Sequence, residues 1–400
     1  MSIRETHLHI ETIEELSSFC QRSRSSQIIG FDTEFVSENR YQPELCLLQV
    51  ATDTEYAIID TLAISDLSEF WKLLVEGNHL TLVHAAREEF LFCFRACGKR
   101  PQNLFDVQLA AGMIGLEYPA AYGNLVSKLL GITLDKGETR TDWMKRPLSS
   151  RQINYALQDV IHLQPLYEKI SKKLVRLNRQ HWLREEMDNW QTTLEKAECE
   201  PQWQRVAGIS GLNNRQLAIV RELWLVRNDE ARRRNRSAKR VLPDDLIVEL
   251  ARRGTADPKR LKAIRGFEGR VNSSLTQPLA TAIETANLIP QDRLPAKLPR
   301  NKTMNLGLLG QFLTTALKII CDQESISASI VATAQDLRDL AAWHIHPTKH
   351  DAVPVLAQGW RAEIIGQAIE QIIDGKLAIR VSNPKLDQPL KIQRLEEPRG

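Results

Sequence analysis

All but one of the strand-like patterns in this chain fall within its first 84 residues, and almost everything after them is helical. Runs 27–36, 45–51 and 55–61 are rich in Ile, Val, Leu and Phe, separated by the turn-compatible segments Ser37-Glu38-Asn39-Arg40 and Thr52-Asp53-Thr54. They are expected to form a consecutive antiparallel set. A fourth run, 80–84, precedes helical spacing over 85–97, which implies a βα crossover. Further helices are expected at 64–75, 106–115, 120–131 and 149–174, with Pro165 kinking or splitting the last. From about 175 onward the periodicity is helical apart from a short run at 377–381. The pattern predicts a mixed sheet flanked by helices, followed by a helical back half.

Four hundred residues exceed the roughly 250–300 at which a single core stops growing. Two boundaries stand out. The segment 181–204 carries Trp182, Trp190 and Trp203 among charges and reads as a helical linker ending near Pro201. Pro290, Pro295 and Pro299 interrupt two helical regions of similar length. The expected division is 1–180, 205–287 and 300–385. No apolar run approaches the ~18–20 residues of a membrane helix, and the N-terminus lacks a secretory apolar stretch, so a cytoplasmic protein is expected. The six cysteines include no Cys-x-x-Cys pair, which argues against zinc; Cys93 and Cys97 read as small buried hydrophobes.

Charge is unevenly placed. Between Arg205 and Arg270 there are 17 Lys and Arg against eight Asp and Glu, a net of +9 in a chain whose total is +3. Localised basicity of this kind suits either a surface that meets nucleic-acid phosphates or a solvated helix face.

The chemistry lies in two acidic clusters. Residues i and i+2 of a strand share a side, so Asp32 and Glu34, near the end of the first run, point together. Tyr155 and Asp159, i and i+4 on a helix, also share a face. Carboxylates so grouped suit Mg2+ or Mn2+, which prefer oxygen, and point to phosphate-ester chemistry. Cleavage with two ions needs a fourth acid, and the segment 84–90, just after a short strand, is placed to supply it.

These residues resemble the ribonuclease D family, DEDD-type 3′–5′ exonucleases with a tyrosine in the third motif. Phe31-Asp32-Thr33-Glu34-Phe35, His84-Ala85-Ala86-Arg87-Glu88-Glu89 and Tyr155-x-x-x-Asp159 carry the three motifs. Phe105-Asp106-Val107-Gln108-Leu109-Ala110 and the stretch 134–143 resemble the intervening segments. The resemblance covers roughly 1–180 and implies a ribonuclease H-like α/β domain. It further implies that Asp32, Glu34, Glu89 and Asp159 bind two divalent ions while Tyr155 orients the attacking water. A departure falls at Glu89, where the family has Asp: the ligand is one methylene, about 1.5 Å, longer. Glu88 is the alternative ligand, but helix neighbours about 100° apart rarely face one site. Thr33, Phe35 and His84 flank the acids and are candidates for the terminal nucleotide, although Phe35 equally suits a core and His84 a helix cap. Lys136 and Arg140 lie in a polar loop that can meet phosphates or simply be solvated.

Residues 205–287 resemble the HRDC domain, in particular at Leu242-Pro243-Asp244-Asp245-Leu246 and at 264–269, and 300–385 occupies the place of a second such all-α module. Arg232, Arg233, Arg234 and Arg236, with Lys239 and Arg240, are expected on an exposed loop against phosphate backbone. Gly359-Trp360-Arg361 has no role legible in the sequence. The function so implied is a monomeric exoribonuclease trimming RNA 3′ ends, tRNA precursors especially. Two alternatives are an RNA-binding protein whose centre is weakened at Glu89 and an exonuclease acting on DNA. Removing 205–400 is expected to weaken binding of structured RNA while sparing hydrolysis of short strands.

Overall fold

The computed structural model describes residues 7–134, 141–296, 306–346, 352–386 and 388–395. Six strands, β1 (His7–Ile10), β2 (Ile28–Val36), β3 (Glu44–Thr52), β4 (Tyr56–Ile59), β5 (Leu80–Val83) and β6 (Leu104–Asp106), form one sheet in the order β1-β4-β3-β2-β5-β6. β3 and β4 pair antiparallel, while β1 with β4, β2 with β5 and β5 with β6 pair parallel. The sheet is therefore mixed. β1 and β6, of four and three residues, are too short to show a period of two.

The helices that position the site are α1 (Ile13–Ser23), α2 (Ser68–Glu76), α3 (Arg87–Cys97), α4 (Val107–Met113), α5 (Tyr122–Leu130), α6 (Ser150–Ile161), α7 (Leu163–Arg176), α8 (Gln180–Cys199) and α9 (Asn214–Arg233). β2 is covered on both sides, and each side is set by one residue. Phe31 is fully buried in edge-on contact with Phe70 and Trp71, at 5.9 and 6.5 Å, so the odd-numbered face of β2 looks towards α2. Gly30, on the even-numbered face, lies against Leu163, where a Cβ would stand only 3.1 Å from the leucine Cδ1. Its missing side chain lets α7 approach the strand. Asp32 and Glu34 share that even-numbered face.

The helix expected over 149–174 is split, as Pro165 requires, but the break is at His162, with Pro165 in the first turn of α7. Proline has no N–H for the carbonyl of Ile161 four residues earlier, and its own missing donor costs nothing in a first turn. Ser149 begins α6 with a reciprocal capping box to Gln152.

The chain divides into two compact units, Met1–Thr33 with Leu47–Thr192 and Lys302–Gly400, and Glu34–Cys46 with Thr193–Asn301. In the first, one continuous core runs from Leu82, Val107 and Leu166 through Trp182 and Met187 to Leu313, Leu340 and Trp360. The segment expected as a linker is thus α8, whose first half turns one face into this core through the buried Trp182, Leu183 and Met187 and keeps the other in solvent. Residues 306–395 also carry a hairpin, β7 (Leu377–Val381) with β8 (Leu390–Arg394), so the sequence read only the first of two paired strands. Trp360 stacks on Trp182 at 5.7 Å, and Arg361 holds Glu186 through both terminal nitrogens at 2.6 and 2.8 Å.

In the second unit α9 packs with Asp244–Arg253 and Thr276–Leu288 around Leu217, Leu223, Leu246 and Ile283. Pro243 precedes the helix that starts at Asp244, and the buried Arg227 pairs with Asp244 and donates to the Leu242 carbonyl. Among the described residues no helix is long and apolar enough to cross a membrane.

Candidate active site

The structure brings Asp32, Glu34 and Asp159 together. One carboxylate oxygen from each lies within 4.8 Å of the others, two from β2 and one from α6. Burial pushes the Asp159 carboxyl up to about 7 against the hydrogen bond from Tyr155, so without a cation this acid shares its site with a proton near neutrality. The ring of Tyr155 lies 6.1 Å from that of the buried Trp143. Trp143 is in turn held by Arg146, which donates to its carbonyl at 2.8 Å and pairs with the buried Asp60.

Glu89 is placed differently. It is buried in the first turn of α3, and the Thr33 hydroxyl donates to its Oε1 at 2.6 Å. Burial pushes its carboxyl up to about 7; the Thr33 hydrogen bond opposes this, and the charges of Asp106 and Glu88 add to it. Glu88 pairs instead with Arg87. Thr33 itself is 6% exposed with its hydroxyl on Glu89, so this side chain faces the protein interior rather than a nucleotide, as strand alternation from Asp32 requires.

The turn that starts α3 is held by Asp106, a residue not singled out as functional from the sequence. Its carboxylate accepts from the backbone N–H of Ala85 and Ala86 at 3.0 and 3.1 Å while capping α4 through Gln108 and Leu109. Ala85 is at φ +58°, a left-handed conformation that an L side chain adopts only when its surroundings enforce it. His84 faces Ala120 O at 3.0 Å and lies edge-on to Tyr122 at 5.3 Å, its titration pushed down by burial. Tyr122 was also missed: its buried hydroxyl is held up by burial and then by the charges of Asp159 and Asp32. No sequence spacing links position 122 to either acid.

Phe35 is half-buried. Lys136 and Arg140 lie outside the described residues. The basic run expected as an exposed loop is instead the last turn of α9 and its cap, because Glu230 takes Arg233 and Arg234 as helical neighbours. Arg232 lies over the Tyr41 ring at 5.7 Å, and Arg236, Lys239 and Arg240 are exposed. A second cluster, His9, Glu11 and Asp60, has the proximity of a cation site, but Arg146 already neutralises Asp60.

A family model described as 3′–5′ exonuclease matches residues 8–175, and one for the HRDC domain matches 216–279. The ribonuclease D of Sphingobium indicum is 32% identical over 393 residues, 96% of this chain and 98% of that protein. That of Zymomonas mobilis subsp. mobilis is 32% identical over 395 residues, 96% of this chain and 99% of that protein. The crystal structure of Escherichia coli RNase D, described as an exoribonuclease involved in structured RNA processing, matches with a TM-score of 0.80 at 27% identity. It covers 92% of this chain and 99% of that one. Fold and site thus define a nuclease of the 3′–5′ exonuclease class with an HRDC domain behind it. The chain belongs to the ribonuclease D family of 3′–5′ exoribonucleases. That family implies divalent metal ions, and the donor set fits them: Asp32, Glu34 and Asp159 offer hard carboxylate oxygens close enough to share a cation.

Proposed function

We propose that Asp32, Glu34, Glu89 and Asp159 hold two divalent ions, Mg2+ or Mn2+, and that the enzyme trims RNA 3′ ends, tRNA precursors among them, releasing nucleoside 5′-monophosphates. The observation that carries this reading is the convergence of Asp32, Glu34 and Asp159 with Tyr155 hydrogen-bonded to the last of them. Bound there, the ions would lower the pKa of water and offset the charge on the phosphate under attack. The phenol of Tyr155, hydrogen-bonded to Asp159, orients the incoming water by hydrogen bonding. Trp143, tilted against that ring with centroids 6.1 Å apart, limits its rotation.

Phe35 and His84 flank the terminal nucleotide in this reading. Lys136, Arg140, Arg232, Arg233, Arg234, Arg236, Lys239 and Arg240 supply positive charge to the RNA backbone, and of the described ones all but the half-buried Arg234 are exposed. Residues 300–385 are proposed as a second HRDC-like module. The enzyme is taken to act as a monomer in the cytoplasm.

The test incubates full-length protein with 3′-extended tRNA, mature tRNA and a matched single-stranded DNA, with Mg2+ or Mn2+ and an Asp32→Asn control. Mononucleotides released from the extended tRNA, and not by the control, are expected. RNA that binds but yields no mononucleotide with either metal would overturn the reading, and preferential DNA digestion would replace its substrate.

A further inference from the structure

β2 places successive residues on opposite faces, and the two faces receive different helices. Asp32 and Glu34 meet Asp159 of α6, whereas Thr33 meets Glu89 of α3. Glu89 therefore meets β2 on the face opposite Asp32 and Glu34, through Thr33, the residue that lies between them in the chain. Its carboxylate is buried and its side chain has three torsions, so without a restraint it has several ways to place its oxygens. The Thr33 hydroxyl removes that freedom. At 2.6 Å it is a short bond of the kind a carboxylate accepts from a hydroxyl, and it involves Oε1 alone. Both partners are below one-tenth exposed, so water does not compete. The position carries Glu, and the extra ~1.5 Å of side chain is what must be fixed for a ligand to sit within the ~0.5 Å tolerance of a productive site.

We infer that Thr33 is a positioning residue whose hydroxyl anchors Oε1 of Glu89 and thereby sets the reach of this longer acid toward the ions shared with Asp32. The inference rests on the proposed metal-binding role of Glu89. It makes Thr33 and Glu89 a matched pair: the hydroxyl matters because the acid is a glutamate, and a shorter acid would not extend to it.

The experiment measures Mn2+ binding to the full-length protein by titration calorimetry and by the spin-resonance signal of the free ion, without RNA. Thr33→Val is expected to weaken the more loosely held Mn2+ on the order of tenfold, the usual scale for loss of a ligand's supporting hydrogen bond. Thr33→Ser, which keeps the hydroxyl, restores it. In a Glu89→Asp background Thr33→Val is expected to change affinity less than twofold, because the pair is already broken. Thr33→Ala stands in if the valine variant fails to fold, with metal-free melting as the check. Wild-type Mn2+ affinity in Thr33→Val or Thr33→Ala, or an equal loss in both backgrounds, overturns the inference. Unchanged binding in Asp32→Asn would instead overturn the metal-site reading itself, which separates the two failures.

Discussion

Trp182 of α8 and Trp360 stack with ring centroids 5.7 Å apart and planes inclined by 27°, fastening residues 306–395 to the domain that carries the carboxylates. Around them Arg361 grips Glu186, and the buried Arg179 donates to the carbonyls of Met113 and Ser325, each at 2.9 Å. The C-terminal region is therefore a wall of the same core. Truncation after residue 301 would bare Trp182, and the surface around Gly112 that Ile330 covers, to water, so the short protein is expected to aggregate rather than cut short strands. This revises the expectation that 205–400 are dispensable for hydrolysis. Trp360→Ala in the full chain is expected to cost about 3–5 kcal/mol, read by denaturant unfolding.

Asp60 is 3% exposed, and Arg146 binds it through two nitrogens. Burial alone would raise the Asp60 carboxyl, but hydrogen bonds from Arg146 and the Leu62 N–H outweigh it and hold the group below its ordinary range. A carboxyl with a depressed folded pKa adds stability above its unfolded value, and that stability is lost as pH falls through the folded one. Arg146→Met is expected to lower stability by about 3 kcal/mol at pH 7, with the variant and wild-type melting curves converging below about pH 4. Because Arg146 also holds Trp143 against Tyr155, kcat should fall with it.

Asp159 and Glu89 are each pushed up to about 7, first by burial. Here the sign is opposite: stability present below the unfolded carboxyl range is lost as pH rises to the folded value. Metal-free protein is expected to lose stability between roughly pH 4 and pH 7, and divalent ions to restore it. Each proton displaced weakens metal binding on the order of tenfold per unit below pH 7. Calorimetry in two buffers of different ionisation enthalpy counts the protons released.

Asp106 accepts four backbone N–H groups from two turns. Asp106→Ala leaves the N–H groups of the exposed Ala85 and the buried Ala86 without their acceptor, at a cost of about 2–3 kcal/mol. Urea unfolding measures the loss. Activity is expected to fall as well, since the same turn orients α3 and Glu89.

Tyr155→Phe removes the hydroxyl on Asp159 and leaves the ring on Trp143. kcat is expected to drop by about 10²–10⁴ with Mn2+ affinity nearly unchanged. A parallel loss of metal binding would assign Tyr155 to holding Asp159 instead.

Local rules made part of the site legible in the amino-acid string. Alternation put Asp32 and Glu34 on one side of a strand, a four-residue helical step aligned Tyr155 with Asp159, and Pro165 divided α6 from α7. It also made the sheet mixed through the βα crossover after β5. Where Glu89 points depends on packing, since a strand's alternation says nothing of which helix covers each face. Tyr122 and Asp106 reach the site through packing between segments distant in sequence, and neither carries a local spacing that would reveal it. The clearest case is Gly359-Trp360-Arg361, unreadable as a string. Gly359 sits at φ +51° beside Glu185, Trp360 is 1% exposed on Trp182, and Arg361 holds Glu186, so its meaning lies entirely in a helix some 170 residues earlier. Side-chain burial against a remote partner leaves no periodic trace in the segment that is buried, which is why the clustered acids Asp32, Glu34 and Asp159 were legible and the docking of the C-terminal region was not.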